Sequence, residues 1–395
     1  LARHCWASRV KLSTTMTQAA SVSSILLFYH YERISDVAEE VEWQQQFLSE
    51  LNVGGRLRIA PAGLNGTLSG RRSSLDQYVA AVTARHSEAW RIDWKFGAAQ
   101  DDQLFENLTV RAVDEVVSLG VDGQFAPLAE AGQHITPREF HDRLVQASSA
   151  SQPTASSQIV LLDVRNVYES RIGHFEAPNV DTLLPPTRQF TDLPSYLDTQ
   201  LEQLRGHTVL MYCTGGVRCE SASAYLRHRL LPDDSGDDSG ASRAEGLPPA
   251  APPAARPADS ATTHILQLSG GIERYMEAFP EGGFFRGVNL VFDRRLVTAP
   301  ARRAERDVIG CCWVCDAPTD DYSPQRRCRH CRLLLLVCPT CCEIHPQGAP
   351  TLTCGECDGC TGGGGAAAAR RQKPRRQAKH AREDSRPRAT SAPTT

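Results

Sequence analysis

Residues 208–231 read TVLMYCTGGVRCESASAYLRHRLL. The run Thr208–Tyr212 is a short, mostly apolar strand of the kind buried on both faces of a parallel sheet. Cys213 leaves its carboxyl end. Gly215 and Gly216 permit a tight loop whose backbone N–H groups turn inward, with Thr214 and Val217 completing it. The residues that follow start a helix, whose first turn presents free N–H groups and a positive dipole end. Arg218 adds a fixed positive charge. All of these features stabilise an anion, and therefore a thiolate at Cys213. A free thiol titrates near 8.5 and is only a few per cent ionised at neutral pH. A depression of about two units, roughly 2.7 kcal/mol, makes the thiolate dominant. The competing reading is an inert cysteine packed at a strand end. The Gly-Gly pair and Arg218 weigh against it, because a packing cysteine needs no anion-cradling loop. Cys219, in the first helical turn, reads either as a resolving thiol for an oxidised Cys213 or as a core-facing helix residue.

Working outward, Ile159–Val164 (IVLLDV) is a second buried parallel strand and His264–Leu268 a third, within an alternating strand–helix pattern from Ile135 to Phe285. Asp163 ends its strand at the sheet edge where Cys213 ends the other. With Arg165 two residues on, it reads as orienting the neighbouring loop by charge-assisted hydrogen bonds, or as a structural ion pair tying two loops together. Residues 232–263 are Pro, Ala, Ser, Asp and Gly, bury no core, and read as a disordered insertion.

Before this lies a different pattern. Residues 25–31 (ILLFYHY) read as a buried strand, 37–51 as an amphipathic helix, Arg56–Ala60 as a strand, 73–85 as a helix, and 90–96 and 107–113 as strands. Asn65-Gly66 in APAGLNGTLSG (60–70) reads as a hairpin turn. The order βαββαβ is that of a ferredoxin-like α+β unit. The first 24 residues hold Arg3, Arg9 and Lys11, many Ser and Thr and no acid, a composition that suits a transit-like leader.

Of 14 cysteines, 11 lie between Cys311 and Cys360. Scattered cysteines would suggest secreted disulfides; repeated C-x-x-C pairs argue for metal in a reducing, intracellular setting, cytoplasmic or organellar. The pairs are Cys312/Cys315, Cys328/Cys331, Cys338/Cys341 and Cys354/Cys357. Eight thiolates suffice for about two tetrahedral Zn²⁺ ions per chain, structural because an all-cysteine site leaves no position for water. Adjacent pairs would build sequential sites and alternate pairs a cross-brace. The arginines at 326, 327, 329 and 332 read as an RNA-facing set or as a solvated basic surface.

Lys+Arg is 43 and Asp+Glu 46, a net charge of −3, which excludes a globally basic nucleic-acid coat but not local patches. Basic pairs recur at Arg71-Arg72, Arg294-Arg295 and Arg302-Arg303, and a basic tail follows Thr361. No run of about 18 apolar residues crosses a membrane. No Rossmann glycine fingerprint occurs, so neither flavin nor nicotinamide is indicated.

Five ordered phrases now carry a resemblance: APAGLNGTLSG (60–70), FENLTVRAVDEVVSLG (105–120), LLDVRNVYESRIGHF (161–175), CTGGVRCESASAYL (213–226), and GGIERYMEAFP with GVNLVFDRRLV (270–280, 287–297). Over residues 25–300 the chain resembles the tRNA uridine(34) hydroxylase family of rhodanese-domain proteins. With its insertion and long cysteine-rich end it looks most like that family's eukaryotic thiosulfate sulfurtransferase/rhodanese-like-domain branch. The resemblance implies a ferredoxin-like domain (25–120) followed by a rhodanese domain with a parallel sheet (133–285), an α/β architecture to which composition and cysteine spacing add a leader (1–24), a cysteine-rich zinc module (310–361) and a basic disordered tail (362–395). It implies oxygen-dependent 5-hydroxylation of the wobble uridine of tRNA, bound at its anticodon region, with Cys213 essential and Arg218 and Cys219 beside it. It also favours Cys312/Cys315 with Cys338/Cys341 as one zinc site. The alternatives are sulfur transfer through a Cys213 persulfide and a non-catalytic rhodanese/zinc scaffold.

Overall fold

Alternation along SSILLFYH builds the first strand, β1 (Ser23–His30), with two working faces. Leu26 and Phe28 enter one core, while Leu27 and Tyr29 point to the opposite side. In the computed structural model the described residues are 22–86, 90–149, 158–230, 263–303, 307–323, 325–344, 352–355, 357 and 360. The insertion up to residue 262, the basic tail and nearly all of the leader lie outside them. Ser23 and Ser24 pair with Arg71 and Gly70, so β1 starts two residues earlier than the sequence reading and takes in the end of the leader.

Helix α1 (Val37–Glu50) is capped by the Asp36 carboxylate, which accepts the Glu39 N–H at 2.9 Å. It leads to β2 (Gly54–Ala60), β3 (Gly63–Arg71), α2 (Arg72–His86), β4 (Lys95–Ala98) and β5 (Leu108–Ala112). The sheet order is β4-β1-β3-β2-β5. Its first four strands are antiparallel neighbours in the ferredoxin-like order, and β5 adds an edge parallel to β2. Two expectations are corrected. The hairpin turns at Pro61-Ala62, since Ala60 pairs with Gly63, and Asn65 and Gly66 lie inside β3. Gly66 is there for space: a Cβ would stand 2.5 Å from Phe28 Cζ. The strand expected at 90–96 begins only at Lys95, because Trp90, Ile92 and Trp94 pack onto the core and Trp90 stacks on His86 at 3.8 Å.

The second sheet comprises β6 (Gln133–Ile135), β7 (Ile159–Asp163), β9 (Asp181–Leu183), β10 (Thr208–Tyr212) and β11 (His264–Leu268). Its order is β6-β11-β10-β7-β9, every pair parallel. Helices α3 (Pro137–Ser149), α4 (Val167–Ser170), α5 (Leu193–Leu204), α6 (Val217–Leu230) and α7 (Gly271–Ala278) connect the strands. Separate apolar clusters cover the two faces, so the sheet is buried on both sides as its unbroken apolar strands require. β10 is central, which places Cys213 at the carboxyl edge, where open α/β sheets bind ligands.

The antiparallel pairs β8 (Gly173–Phe175) with β12 (Phe285–Gly287) and β13 (Asn289–Leu290) with β14 (Val297–Thr298) follow. The cysteine-rich end carries bridges Cys311↔Pro318 and Arg327↔Leu334 and helix α8 (Pro339–Ile344). Its cysteines share an apolar cluster with Leu333, Leu335 and Val167 of the rhodanese-like layer. No helix among the described residues is long and apolar enough to cross a membrane.

Candidate active site and metal centres

The loop from Cys213 to Gly216 is buried, and Cys213 itself is 0% exposed. Gly216, at φ 104°, turns its N–H onto the Cys213 sulfur at 3.1 Å. The Arg218 N–H also reaches that sulfur. At the other side of the loop, helix α7 begins beneath it: the N–H groups of Ile272 and Glu273 donate to the carbonyls of Cys213 and Thr214 at 3.0 and 3.2 Å. Gly271 makes this approach possible, for a Cβ there would lie 2.6 Å from both carbonyl oxygens.

Burial disfavours a Cys213 thiolate. The Cys219 thiol, the Arg218 charge and the N–H groups of Arg218 and Gly216 outweigh that cost and bring Cys213 down to about 6. Burial and the neighbouring sulfur push Cys219 the other way, well above its ordinary range. At neutral pH the pair is therefore one thiolate and one thiol donating to it.

Arg218 does not stand free. Its guanidinium grips Glu169 with two parallel bonds of 2.7 Å, and its Nη2 also reaches Thr214 Oγ1 at 3.2 Å. Burial raises the Glu169 carboxyl, but Arg218 more than compensates and holds it below the usual carboxylate range. Glu169 accepts the Asn166 N–H at 3.0 Å as the far end of a capping box on α4. The sequence leaves Glu169 open between a role beside the loop and a structural one, and the capping spacing Asn166-x-x-Glu169 reports the cap alone.

Asp163 and Arg165 are both fully buried and clasp each other, with Nε–Oδ1 at 2.9 Å and Nη2–Oδ2 at 2.6 Å. Arg165 then donates to Gly173 O in β8 and to Asn289 Oδ1 in β13. These bonds tie the β7 end to β8 and β13.

A further set of residues comes from the first sheet. Leu27 and Tyr29 of β1 roof the loop: Cβ atoms on Gly215 and Gly216 would lie 3.1 Å from Leu27 Cδ2 and 2.7 Å from Tyr29 Oη. Tyr29 donates to Glu220 at 3.2 Å and Tyr31 to the Val217 carbonyl at 3.3 Å. The only hint in the sequence is that Leu27, Tyr29 and Tyr31 alternate onto one strand face.

The cysteines of the C-terminal module form two groups able to hold metal ions, Cys312/Cys315/Cys338/Cys341 and Cys328/Cys331/Cys354/Cys357. In each, all ligand atoms lie within 4.8 Å of one another. Alternate pairs combine, so the two centres are cross-braced. The donor set fits Zn²⁺: sulfurs about 2.3 Å from a tetrahedral zinc lie roughly 3.8 Å apart, and Cys315–Cys338 and Cys331–Cys354 are at 3.6 and 3.7 Å. Backbone N–H groups of Cys338 and Cys354 donate to Cys312 and Cys328 at 3.3 and 3.4 Å, as knuckle thiolates need. Cys360 lies 3.3 Å from Cys357 and 3.5 Å from Cys328, a fifth thiol beside the second centre.

A parallel sheet with a cysteine-headed loop at the end of its central strand is the rhodanese arrangement, here joined to a ferredoxin-like layer and a metal-binding end. Residues 23–116 match the UPF0176 acylphosphatase like domain and residues 286–361 the domain described as Rhodanase C-terminal. The tRNA uridine(34) hydroxylase of Arthrobacter sp. (strain FB24) is 30% identical over 350 residues, 86% of this chain and 99% of that protein. The protein of the same name from Chlamydia felis is 29% identical over 80% of this chain and 82% of its own length. Rhodanese-like domain-containing protein 6 of Arabidopsis thaliana is 37% identical over 80% of this chain, which spans only half of that plant protein. The chain belongs to the tRNA uridine(34) hydroxylase family.

Proposed function

We propose that this chain modifies tRNA by adding a hydroxyl to C5 of the wobble uridine, with molecular oxygen as co-substrate, a two-electron donor that takes the second oxygen atom to water, and Cys213 as the working residue. The activity for which the Arthrobacter relative, aligned over 86% of this chain, is named supports the substrate. The observation that carries the site is the buried Cys213 sulfur accepting the Gly216 N–H at 3.1 Å inside its amide loop, which brings the thiol down to about 6. A thiolate at neutral pH is a strong nucleophile ready for covalent catalysis. The Arg218–Glu169 clasp and Thr214 fix the loop around it, and the Leu27–Tyr29 roof keeps water out. Cys219, as the protonated neighbour, is placed to hold or return a proton at the Cys213 sulfur and to capture it if it is oxidised. Zinc, when bound, supplies structural cross-linking: the eight cysteines would brace the terminal module against α4 through Val167 and Leu335.

The test is nucleoside mass spectrometry of tRNA from cells lacking the protein, rescued with wild type or Cys213→Ser. Loss of 5-hydroxyuridine-derived nucleosides, restored by wild type alone, is expected. Loss of thiolated nucleosides instead selects sulfur transfer, which the same amide loop serves by cradling a persulfide. Unchanged tRNA rejects an enzymatic role on this substrate.

A further inference from the structure

A cleft of about 440 Å³ opens where the first sheet, the rhodanese-like layer and the cysteine-rich module meet. Arg56 enters it from β2, Arg188 from the segment after β9, and Arg327 and Arg332 from the knuckle that carries Cys328 and Cys331. On a chain whose net charge is −3, this convergence of guanidinium groups from three regions is local. Asp293, an acidic residue of the lining, is already engaged by Arg295 at 2.7 Å. Aromatic rings stand among the cations. Phe292 is 49% exposed, unusual for a large apolar ring, and the Arg218 guanidinium carbon sits 5.6 Å from its centroid. Phe292 thus links the open cleft to the residue that frames Cys213. Tyr168, next to Glu169 in sequence, lines the same cleft.

Exposed aromatics stack unpaired bases, and surrounding arginines hold the phosphates that follow them. An acidic peptide would use the arginines but leave the open ring without purpose. We propose that this cleft binds the unpaired nucleotides of an RNA loop, one base stacking on Phe292 beside Arg218 and the neighbouring phosphates meeting Arg56, Arg188, Arg327 and Arg332. The proposal rests on the RNA reading above and gives it a place. It also gives the metal-binding module a purpose, since the knuckle positions two of the arginines.

Fluorescence anisotropy of the full chain with a synthetic anticodon stem-loop RNA tests it, against a fully paired hairpin as reference. Loss of one stacked base is worth about 1–3 kcal/mol, so Phe292→Ala weakens stem-loop binding about 5- to 150-fold. Phe292→Trp restores it, the paired hairpin is unaffected, and thermal melting stays that of wild type. Arg332→Ala and Arg188→Ala each reduce the salt slope by about 0.7, the single-strand value per phosphate. Phe292→Ala binding as tightly as wild type, or wild type preferring the paired hairpin, overturns the cleft. The two readings separate cleanly. Cells that make the modification normally with Phe292→Ala, but not with Cys213→Ser, keep the proposed activity and reject the cleft. Phe292-dependent stem-loop binding in a protein whose loss leaves tRNA unchanged keeps the cleft and rejects the activity.

Discussion

Replacing Arg218 by Met together with Glu169 by Gln probes the loop most informatively. Arg218 alone is a poor target, because its loss strands a buried carboxylate and costs about 3–5 kcal/mol of stability. The double change removes both charges and keeps the volume. With Cys213 at about 6, its thiolate outnumbers its thiol about ten to one at pH 7. A nearby opposite charge lowers an acid by about 1–3 units. Glu169 takes up both arms of the Arg218 guanidinium, so the lower end applies, and the double variant raises Cys213 by about one unit. The ratio at pH 7 then falls to about one to one. The bonds from the Gly216 and Arg218 N–H groups and from Cys219 remain, so the thiol stays below that of a free cysteine. Thiolate absorbance titrated from pH 5 to 9, taken as the difference from the same protein carrying Cys213→Ser, gives the midpoint without a reagent having to enter the buried site. A midpoint identical to wild type would show that Arg218 contributes nothing to the thiolate and refute this account of the loop.

Gly216→Ala forces a side chain at φ 104° and 2.7 Å from Tyr29 Oη, so it should destabilise the chain by about 1–3 kcal/mol; adding Tyr29→Phe recovers part of the lost Tm, and no recovery would place the roof elsewhere. Cys315→Ser with Cys341→Ser touches one cross-braced centre, so metal analysis should fall from about two zinc ions per chain to about one; sequential pairing of neighbouring knuckles would lose both. Because the folded-state pKa of Cys213 is depressed, its contribution to stability is full above the unfolded value near 8.5 and fades as pH falls through about 6. Denaturant melts of wild type minus Cys213→Ser should therefore diverge between pH 6 and 8.5 and converge below 6, and a constant difference would contradict it.

What could be read from the sequence was local. The strands 159–163, 208–212 and 264–268 announce themselves by unbroken apolar runs, and the four C-x-x-C pairs by spacing. Spacing alone says which thiols exist but not which meet, and only the resemblance favours Cys312/Cys315 with Cys338/Cys341, the grouping that cross-braces the centres. Glu169 lies 49 residues from Arg218, and only the return of the chain through α5 and β10 brings them together. The roof is equally non-local: Tyr29 stands in the first sheet and Gly216 in the loop that leaves the second. Asn65-Gly66 misled because an Asn-Gly pair marks turns when nothing crowds it, whereas here the glycine makes room for Phe28 and Pro61-Ala62 turns the chain. The Asp163–Arg165 pair shares a sheet edge with Cys213, yet its spare donors are drawn away to Gly173 and Asn289.

The account stands on a thiolate that persists in a sealed site at neutral pH, and absorbance near the thiolate band reads it without needing a reagent to enter. Titrating wild type and Cys213→Ser side by side, both metal-loaded, isolates one ionisation as the difference between the two curves. A difference centred near 6 is the predicted result; a difference centred at about 8.5 or above, where an ordinary cysteine titrates, would contradict it.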